Sequence, residues 1–232
     1  FVDLDTGHLI GLCEKRTEKA IMEYLESWGD EVLSQIQEVS IDLWIPYEKV
    51  VNKLMPQASV VADQFHVMKQ VNQELDRARK DCKTDLKKKK NTSGNRHKTS
   101  AIKNSKYPLL KAYKNLTEPQ QEKLQEIQKK IPELANMHQL KEELIDLFDS
   151  AKNWNEGLIK ISEWMEKAQH YFSKSCQTIR RWIGEIVAYF DRRTTQGIVE
   201  GLNNKLKLIK RKAYGFRNFN NFQLRSQLSM IF

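Results

Sequence analysis

An α/β fold with a long helical section set into it is the class that this sequence predicts, on three observations. Over residues 1–80, short apolar or alternating runs recur between stretches of helical spacing. From about residue 81 to 192 the spacing is helical only. An amphipathic stretch over residues 197–213 then forms one more helix. Strands that alternate with helices imply a sheet with crossover connections.

The elements follow in order. Residues 1–4 and 8–13 are apolar runs about Asp5-Thr6-Gly7, a plausible hairpin turn. Residues 18–28 carry Ile21, Met22, Leu25 and Trp28 at helical spacing. Val39, Ile41 and Leu43 alternate as in a strand. Pro46 suits the first turn of a helix with Val50, Val51 and Leu54 on one side, and Pro56 ends it. Val60, Val61 and Ala62 make a second short buried strand. Asp63 can cap a long helix with Phe65, Met68, Val71, Leu75 and Ala78 inward. The run Lys87–Lys90, followed by Asn91-Thr92-Ser93-Gly94-Asn95, reads as a connection between helices. Thr117-Glu118-Pro119 opens a helix with Leu124, Ile127 and Ile131 on one face. Further stripes are Leu140, Leu144 and Leu147; then Trp154, Leu158, Ile161, Met165, Ala168 and Phe172; then Ile179, Trp182, Ile183, Ile186 and Phe190. Tryptophans in such stripes are expected in the core.

Composition narrows the function classes. The 232 residues are 40% hydrophobic and 30% charged, too apolar for a disordered chain. No run of eighteen apolar residues occurs, so no membrane partner is expected. Cys13, Cys82 and Cys176 lie far apart without a CxxC spacing, which argues against a disulfide framework or zinc knuckle and for a reducing cytoplasm. The chain opens inside an apolar run without a Met and is read as part of a longer protein.

The net charge of +9 is local. Residues 80–106 hold a balance of +8 and residues 195–217 one of +5, which leaves −4 for the remainder. Two basic segments on a mildly acidic body suit a polyanion partner, and a solvated lysine-rich loop is the plainer reading of the first. In the last helix Val199, Leu202, Leu206, Ile209 and Ala213 form the apolar stripe, opposite Glu200, Asn203, Asn204, Lys207 and Arg211. Amides and cations on that side can meet phosphate oxygens. The same arrangement also complements a helix macrodipole, acid first and bases last. Tyr214, Phe216, Phe219 and Phe222 then interleave with Arg217, Arg225 and asparagines, and most of these aromatics are expected to pack on the body.

Several segments resemble one known family. VEGLNNKLKLIKRKAYGFRNFNNFQLR (199–225) closely resembles the terminal block of ISL-three family bacterial insertion-sequence transposases. ADQFHVMKQVNQELDRARK (62–80), NLTEPQQEKL (115–124), LKEELIDLFDSA (140–151) and the opening VDLDTGHLIGL resemble the same family in the same order. The sequence departs at Thr194-Thr195-Gln196-Gly197, where the family more often has a Ser-Asn pair.

That resemblance implies a ribonuclease-H-like, retroviral-integrase-like sheet lacking its first strand, with a large all-helical insertion. Residues 1–80 would be the core with strands two to five, 81–192 the insertion, and 193–232 the closing helix and basic C-terminal segment. It implies a DDE-type transposase, a magnesium-dependent polynucleotidyl transferase that cleaves and joins DNA at insertion-sequence ends. The end of the fourth strand nominates Asp42 and the late helix nominates Glu200, as catalytic residues and metal ligands. The 157 residues between them leave room for the insertion. Asp63 is the alternative second carboxylate, with His66 in support. The first Asp, like the family's zinc-binding and helix-turn-helix parts, would lie upstream of Phe1, so Asp3 and Asp5 are not promoted. Paired carboxylates suit two Mg²⁺ ions, with Mn²⁺ as a substitute, because such ions take hard oxygen ligands.

Asn203, Asn204, Lys205, Lys207, Lys210, Arg211, Lys212 and Arg217 are the expected DNA contacts. Partners would be double-stranded DNA, at transposon ends and target, and further copies of the chain assembled on it, in the bacterial cytoplasm at the nucleoid. Without the central first strand, the stretch expressed alone is expected to be inactive and prone to association. The alternative functions are an inactive remnant that binds nucleic acid through its basic segments and a helical scaffold whose charge keeps it in solution.

Overall fold

The computed structural model describes residues 1–88, 93–193 and 197–231, without the side chains of Ser93, Arg192, Glu200 and Ile231. The described residues form a mixed α/β structure, mostly helical, with a small parallel sheet. The chain divides into two compact units, one of residues 1–63 with 192–232 and one of residues 64–191.

The first unit opens on a turn. Asp3 closes it with its own carboxylate, which accepts from the N–H groups of Asp5 (2.9 Å) and Thr6 (3.2 Å) and from the Thr6 hydroxyl (2.7 Å). These bonds to the ionised form hold Asp3 below the usual carboxylate pKa. The two strands expected over 1–4 and 8–13 shrink to one antiparallel bridge, Val2 to Leu9. Backbone bonds still join the two runs, from the Asp3 N–H to the His8 carbonyl (2.9 Å) and from the Ile10 N–H to the Phe1 carbonyl (3.0 Å), about the turn that the Asp3 side chain holds.

Helix α1 (Glu18–Glu26) is capped by Thr17 and buries Ile21 and Leu25, and the short α2 (Asp30–Leu33) buries Leu33. Strand β1 (Glu38–Ile41) leads into α3 (Ile45–Leu54), with Pro in its first turn and Val50 and Val51 buried. Strand β2 (Ser59–Ala62) returns beside β1 in parallel, with Glu38 opposite Ser59 and Ile41 opposite Ala62. This is the crossover that the alternation of strand and helix predicts. No helix among the described residues is long and apolar enough to cross a membrane.

The helical unit is built on α4 (Gln64–Lys88), which buries Val67, Val71, Leu75 and Arg79. This stripe advances four residues at a time, so two expected core residues move outward: Phe65 is 53% exposed, and Met68 only half-buried. Helical structure runs on through Lys87 and Lys88, where a connection is expected, and Lys89 to Thr92 lie outside the described residues. Helix α5 (Ser93–Ile102) and helix α6 (Lys106–Leu110) follow. Helix α7 (Glu118–Lys130) starts where expected, with the Gln120 side chain accepting from the Thr117 N–H at 3.2 Å.

Helices α8 (Pro132–Ser150) and α9 (Trp154–Ala168) pack together, and the buried Trp164 indole donates to the Leu140 carbonyl at 2.7 Å. Trp154, expected in the core, is the first residue of α9 and 48% exposed. Helix α10 (Ser173–Arg181) has its free N–H groups met by Glu74, which accepts from Ser175 N (2.6 Å), Ser175 Oγ (2.6 Å) and Lys174 N (3.3 Å). After α11 (Ile183–Arg192), the first unit resumes with α12 (Gly197–Lys212) and α13 (Phe219–Ile231).

One charged group sits in the helical core. Lys141 on α8 is fully buried. Its ammonium donates to the carbonyls of Leu109 (3.0 Å) and Lys111 (2.6 Å) at the end of α6 and pairs with Glu142 at 2.6 Å. Burial lowers its pKa, against the pull of Glu142. His138, one turn earlier and 3% exposed, is pushed down to about 4 by burial and then by the Lys141 cation. Lys141→Ala would strand the Glu142 charge and the two carbonyls. It is expected to destabilise the fold by about 3–5 kcal/mol in denaturant unfolding. His138 also sets a pH window. Between pH 6.5 and about 4 only the unfolded chain takes up its proton, so stability falls across that range and levels off below it. Chemical denaturation at a series of pH values should show this slope in the wild type and a flatter one in His138→Leu.

Candidate functional site

The parallel pairing of β1 and β2 sets the geometry of the candidate site. Ile41 and Ala62 are the last in-register pair, and the next residue on each strand is an aspartate. Asp42 and Asp63 therefore leave the same end of the sheet on neighbouring strands, whose backbones run about 4.8 Å apart. The Asp63 N–H donates to the Ile41 carbonyl at 3.1 Å, which extends the ladder to this point. Asp63 is only 7% exposed, whereas the Asp42 side chain is 34% exposed. The C-terminal end of parallel strands is where such sheets present chemistry to ligands.

Asp42 already faces a cation that the sequence did not suggest. Arg16 Nη2 lies 3.2 Å from Asp42 Oδ2. Its guanidinium sits 4.7 Å from the centre of the Trp44 ring and 5.3 Å from that of Tyr47. Trp44 and Tyr47 meet edge to face at 4.7 Å, and the Trp44 N–H donates to the Asp42 carbonyl at 2.6 Å. The turn after β1 thus builds an aromatic shelf beside the carboxylate, on which the guanidinium rests. Burial pushes the Tyr47 phenol up, and Arg16 pulls against it. Arg16 lies in a charged stretch, EKRTEK, where nothing in the local pattern marks one residue out.

Glu200 belongs to α12, in the same unit as Asp42 and Asp63; its side chain lies outside the described residues, as do Thr194 to Gln196. The start of α12 approaches the N-terminal turn, since a methyl on Gly7 would lie 3.4 Å from Ile198 Cγ2. His66 belongs to α4 in the helical unit, half-buried, with its ring edge-on to Phe65 at 5.5 Å. Among the described residues no group of three or more His, Cys, Asp or Glu is placed to hold a metal ion. Two aspartates at neighbouring strand ends, one of them already countering a positive charge, are hard oxygen donors of the kind a hard cation takes.

The expected polyanion surface is open. Asn203, Asn204, Lys205, Lys207, Lys210, Arg211, Lys212 and Arg217 are all exposed. The stripe of Val199, Leu202, Leu206, Ile209 and Ala213 is half-buried throughout, while Ile198 and Leu208 of the same helix are exposed. No Asp or Glu follows Glu200 in the chain.

Comparison with known proteins bears on this arrangement. The DDE_Tnp_ISL3 family, described as Transposase, matches residues 1–226. The transposase for insertion sequence element IS1557 of Mycobacterium tuberculosis is 31% identical over 238 residues, covering 94% of this chain and 53% of that protein. The transposase for insertion sequence element IS1001 of Bordetella parapertussis is 29% identical over 216 residues, covering 90% of this chain and 51% of its own length. The chain spans about half the length of these curated relatives. No solved structure matches it. With the family match running through nearly every residue of both units, the chain belongs to the ISL3 family of DDE transposases.

Proposed function

We propose that this chain is the catalytic region of a transposase that cuts and joins DNA at insertion-sequence ends, with Asp42 and Glu200 as acidic catalytic residues. The observation that carries the reading is the family match over residues 1–226, read together with the aspartates that leave the same end of β1 and β2. In this reading residues 1–80 are a ribonuclease-H-like core, 81–192 a helical insertion, and 193–232 the closing helix and basic segment. The site of action would be the bacterial nucleoid, with several copies of the chain assembled on DNA.

The chemistry explains the residue types. A phosphodiester carries negative charge, so an attacking oxygen is repelled until that charge is countered. Asp42 and Glu200 would hold magnesium or manganese, which when bound activates the attacking oxygen and offsets charge on the departing one. Asp63, nearly buried beside Asp42, would fix the strand end and support its neighbour's carboxylate, and it is the alternative second ligand. His66 would serve as a supporting polar group. The exposed cations of α12 would hold the phosphate backbone without reading sequence, through contacts that weaken as salt rises.

The test uses the protein as its gene encodes it. Glu200→Gln and Asp42→Asn should each lower magnesium-dependent cleavage of end-containing DNA by at least about a hundredfold. DNA affinity should stay near that of the wild type, and Asp63→Asn should cost less cleavage than Asp42→Asn. Cleavage at the normal rate by Glu200→Gln would remove Glu200 from the site. A larger loss in Asp63→Asn than in Asp42→Asn would exchange the roles of the two aspartates. Binding without any cleavage by the wild type would favour a remnant that only holds DNA.

A further inference from the structure

The end of α12 is built in an unusual way. The Gly215 N–H donates to the Lys210 carbonyl at 2.9 Å and the Tyr214 N–H to the Arg211 carbonyl at 3.1 Å. These are the paired bonds of a Schellman ending, in which the first residue past the cap takes the left-handed conformation that glycine adopts without steric penalty. Here Tyr214 holds that position, with φ of 54°, although a glycine stands one residue later. The tyrosine gains no packing in return, since its accessibility is 102%, that of a side chain with no neighbours. Its aromatic neighbours behave differently. Phe216 and Phe222 meet at 5.1 Å and Phe219 and Phe222 at 6.4 Å, so the phenylalanines pack on one another while Tyr214 stands clear. A strained backbone that presents a bare aromatic ring is explained by what the ring meets in solution.

The surroundings indicate the chemistry of that partner. Lys207, Lys210, Arg211, Lys212 and Arg217, which precede and follow the tyrosine in sequence, are exposed, and no acidic residue lies between Glu200 and the end of the chain. A protein partner would need a strongly acidic face, whereas a nucleic-acid strand supplies phosphates for the cations and a flat ring for the phenol. In an intact duplex the faces of the bases are covered by stacking, so a ring that stacks needs an unpaired or terminal base.

We propose that Tyr214 is a stacking platform for an unpaired base of a DNA strand whose phosphates are held by Lys210, Arg211 and Lys212. The inference rests on the DNA-handling reading above and adds to it a preference for single-stranded or frayed DNA. Tyr214 lies fourteen residues after Glu200 on nearly continuous helix. At the rise of a helix this places the ring about 20 Å from that residue, so the stacked base would lie several nucleotides from the bond that is cut. Tyr214 is therefore a positioning residue.

The experiment uses the protein as its gene encodes it and short DNA probes carrying 2-aminopurine, whose fluorescence falls when it stacks on an aromatic ring. The probes are a single strand, a duplex with an unpaired end and a blunt duplex with the reporter inside. Wild type should bind the first two more tightly than the third and quench their reporter. Tyr214→Ala and Tyr214→Gly should weaken binding to those two probes by roughly tenfold and abolish quenching, with the blunt duplex unaffected. Tyr214→Phe and Tyr214→Trp should retain both properties. A combined Lys210→Gln, Arg211→Gln and Lys212→Gln variant should weaken binding to all three probes and flatten its salt dependence.

Thermal melting separates function from structure, because Tyr214→Gly should raise the midpoint, by roughly 2–4 °C, while it weakens binding. Wild-type affinity and quenching in Tyr214→Ala would overturn the proposal and leave the DNA reading standing. A loss of binding matched by a fall in melting midpoint would make the tyrosine structural and also overturn it. Failure of the wild type to bind any probe would overturn both readings together.

Discussion

The register of two four-residue strands is the constraint on which the candidate site depends. Parallel pairing of Glu38 with Ser59 through Ile41 with Ala62 obliges the next residues, both aspartates, to leave the sheet together. A slip of one residue would part them, and Val61 and Ala62, buried on opposite faces of the strand, would exchange faces. The ladder from Glu38–Ser59 to Ile41–Ala62 thus places both aspartates at neighbouring strand ends. The shallow polar depression lined by Ser34, Gln35, Ile36, Gln37, Gln57 and Ser59 lies where the strands begin, at the far end from these groups.

The helical unit has a different logic. Its core is apolar along α4, α7, α8 and α9, but particular joints are made by single polar groups. Glu74 meets the N-terminus of α10, Lys141 meets the carbonyl end of α6, and the Trp164 indole meets a carbonyl of α8. Glu74 and Lys141 satisfy backbone groups that helix ends leave without a partner, while the buried indole adds a second bond to a carbonyl inside α8. A buried ammonium is tolerated because three oxygens surround it.

Much of this was legible in the sequence, and the failures have physical causes. The stripes Leu124–Ile127–Ile131 and Leu140–Leu144 are buried as their spacing predicts, because long helices packed on one side leave a strong periodic signal. The two short strands and the crossover helix were legible from alternation and from Pro46 and Pro56. Phe65 and Trp154 were misplaced since both stand at the first turn of a helix, where an apolar side chain can project past the core. The opening runs pair about their turn as an antiparallel bridge of Val2 with Leu9, shorter than the apolar pattern suggests, and the Asp3 side chain that holds the turn is a contact hydrophobic pattern does not record. Arg16 could not be found from sequence, since its partner Asp42 lies 26 residues away and only the fold joins them. Lys141 was invisible for a related reason, as a lysine on an amphipathic helix is ordinarily exposed.

The C-terminal surface has one more property. After Glu200 the chain contains no Asp, Glu, His or Cys, only Lys and Arg together with the one phenol of Tyr214. Its positive potential is thus offset by no acidic side chain of the segment itself, and it is screened by the ions around it. A polyanion held there would be released by raising ionic strength.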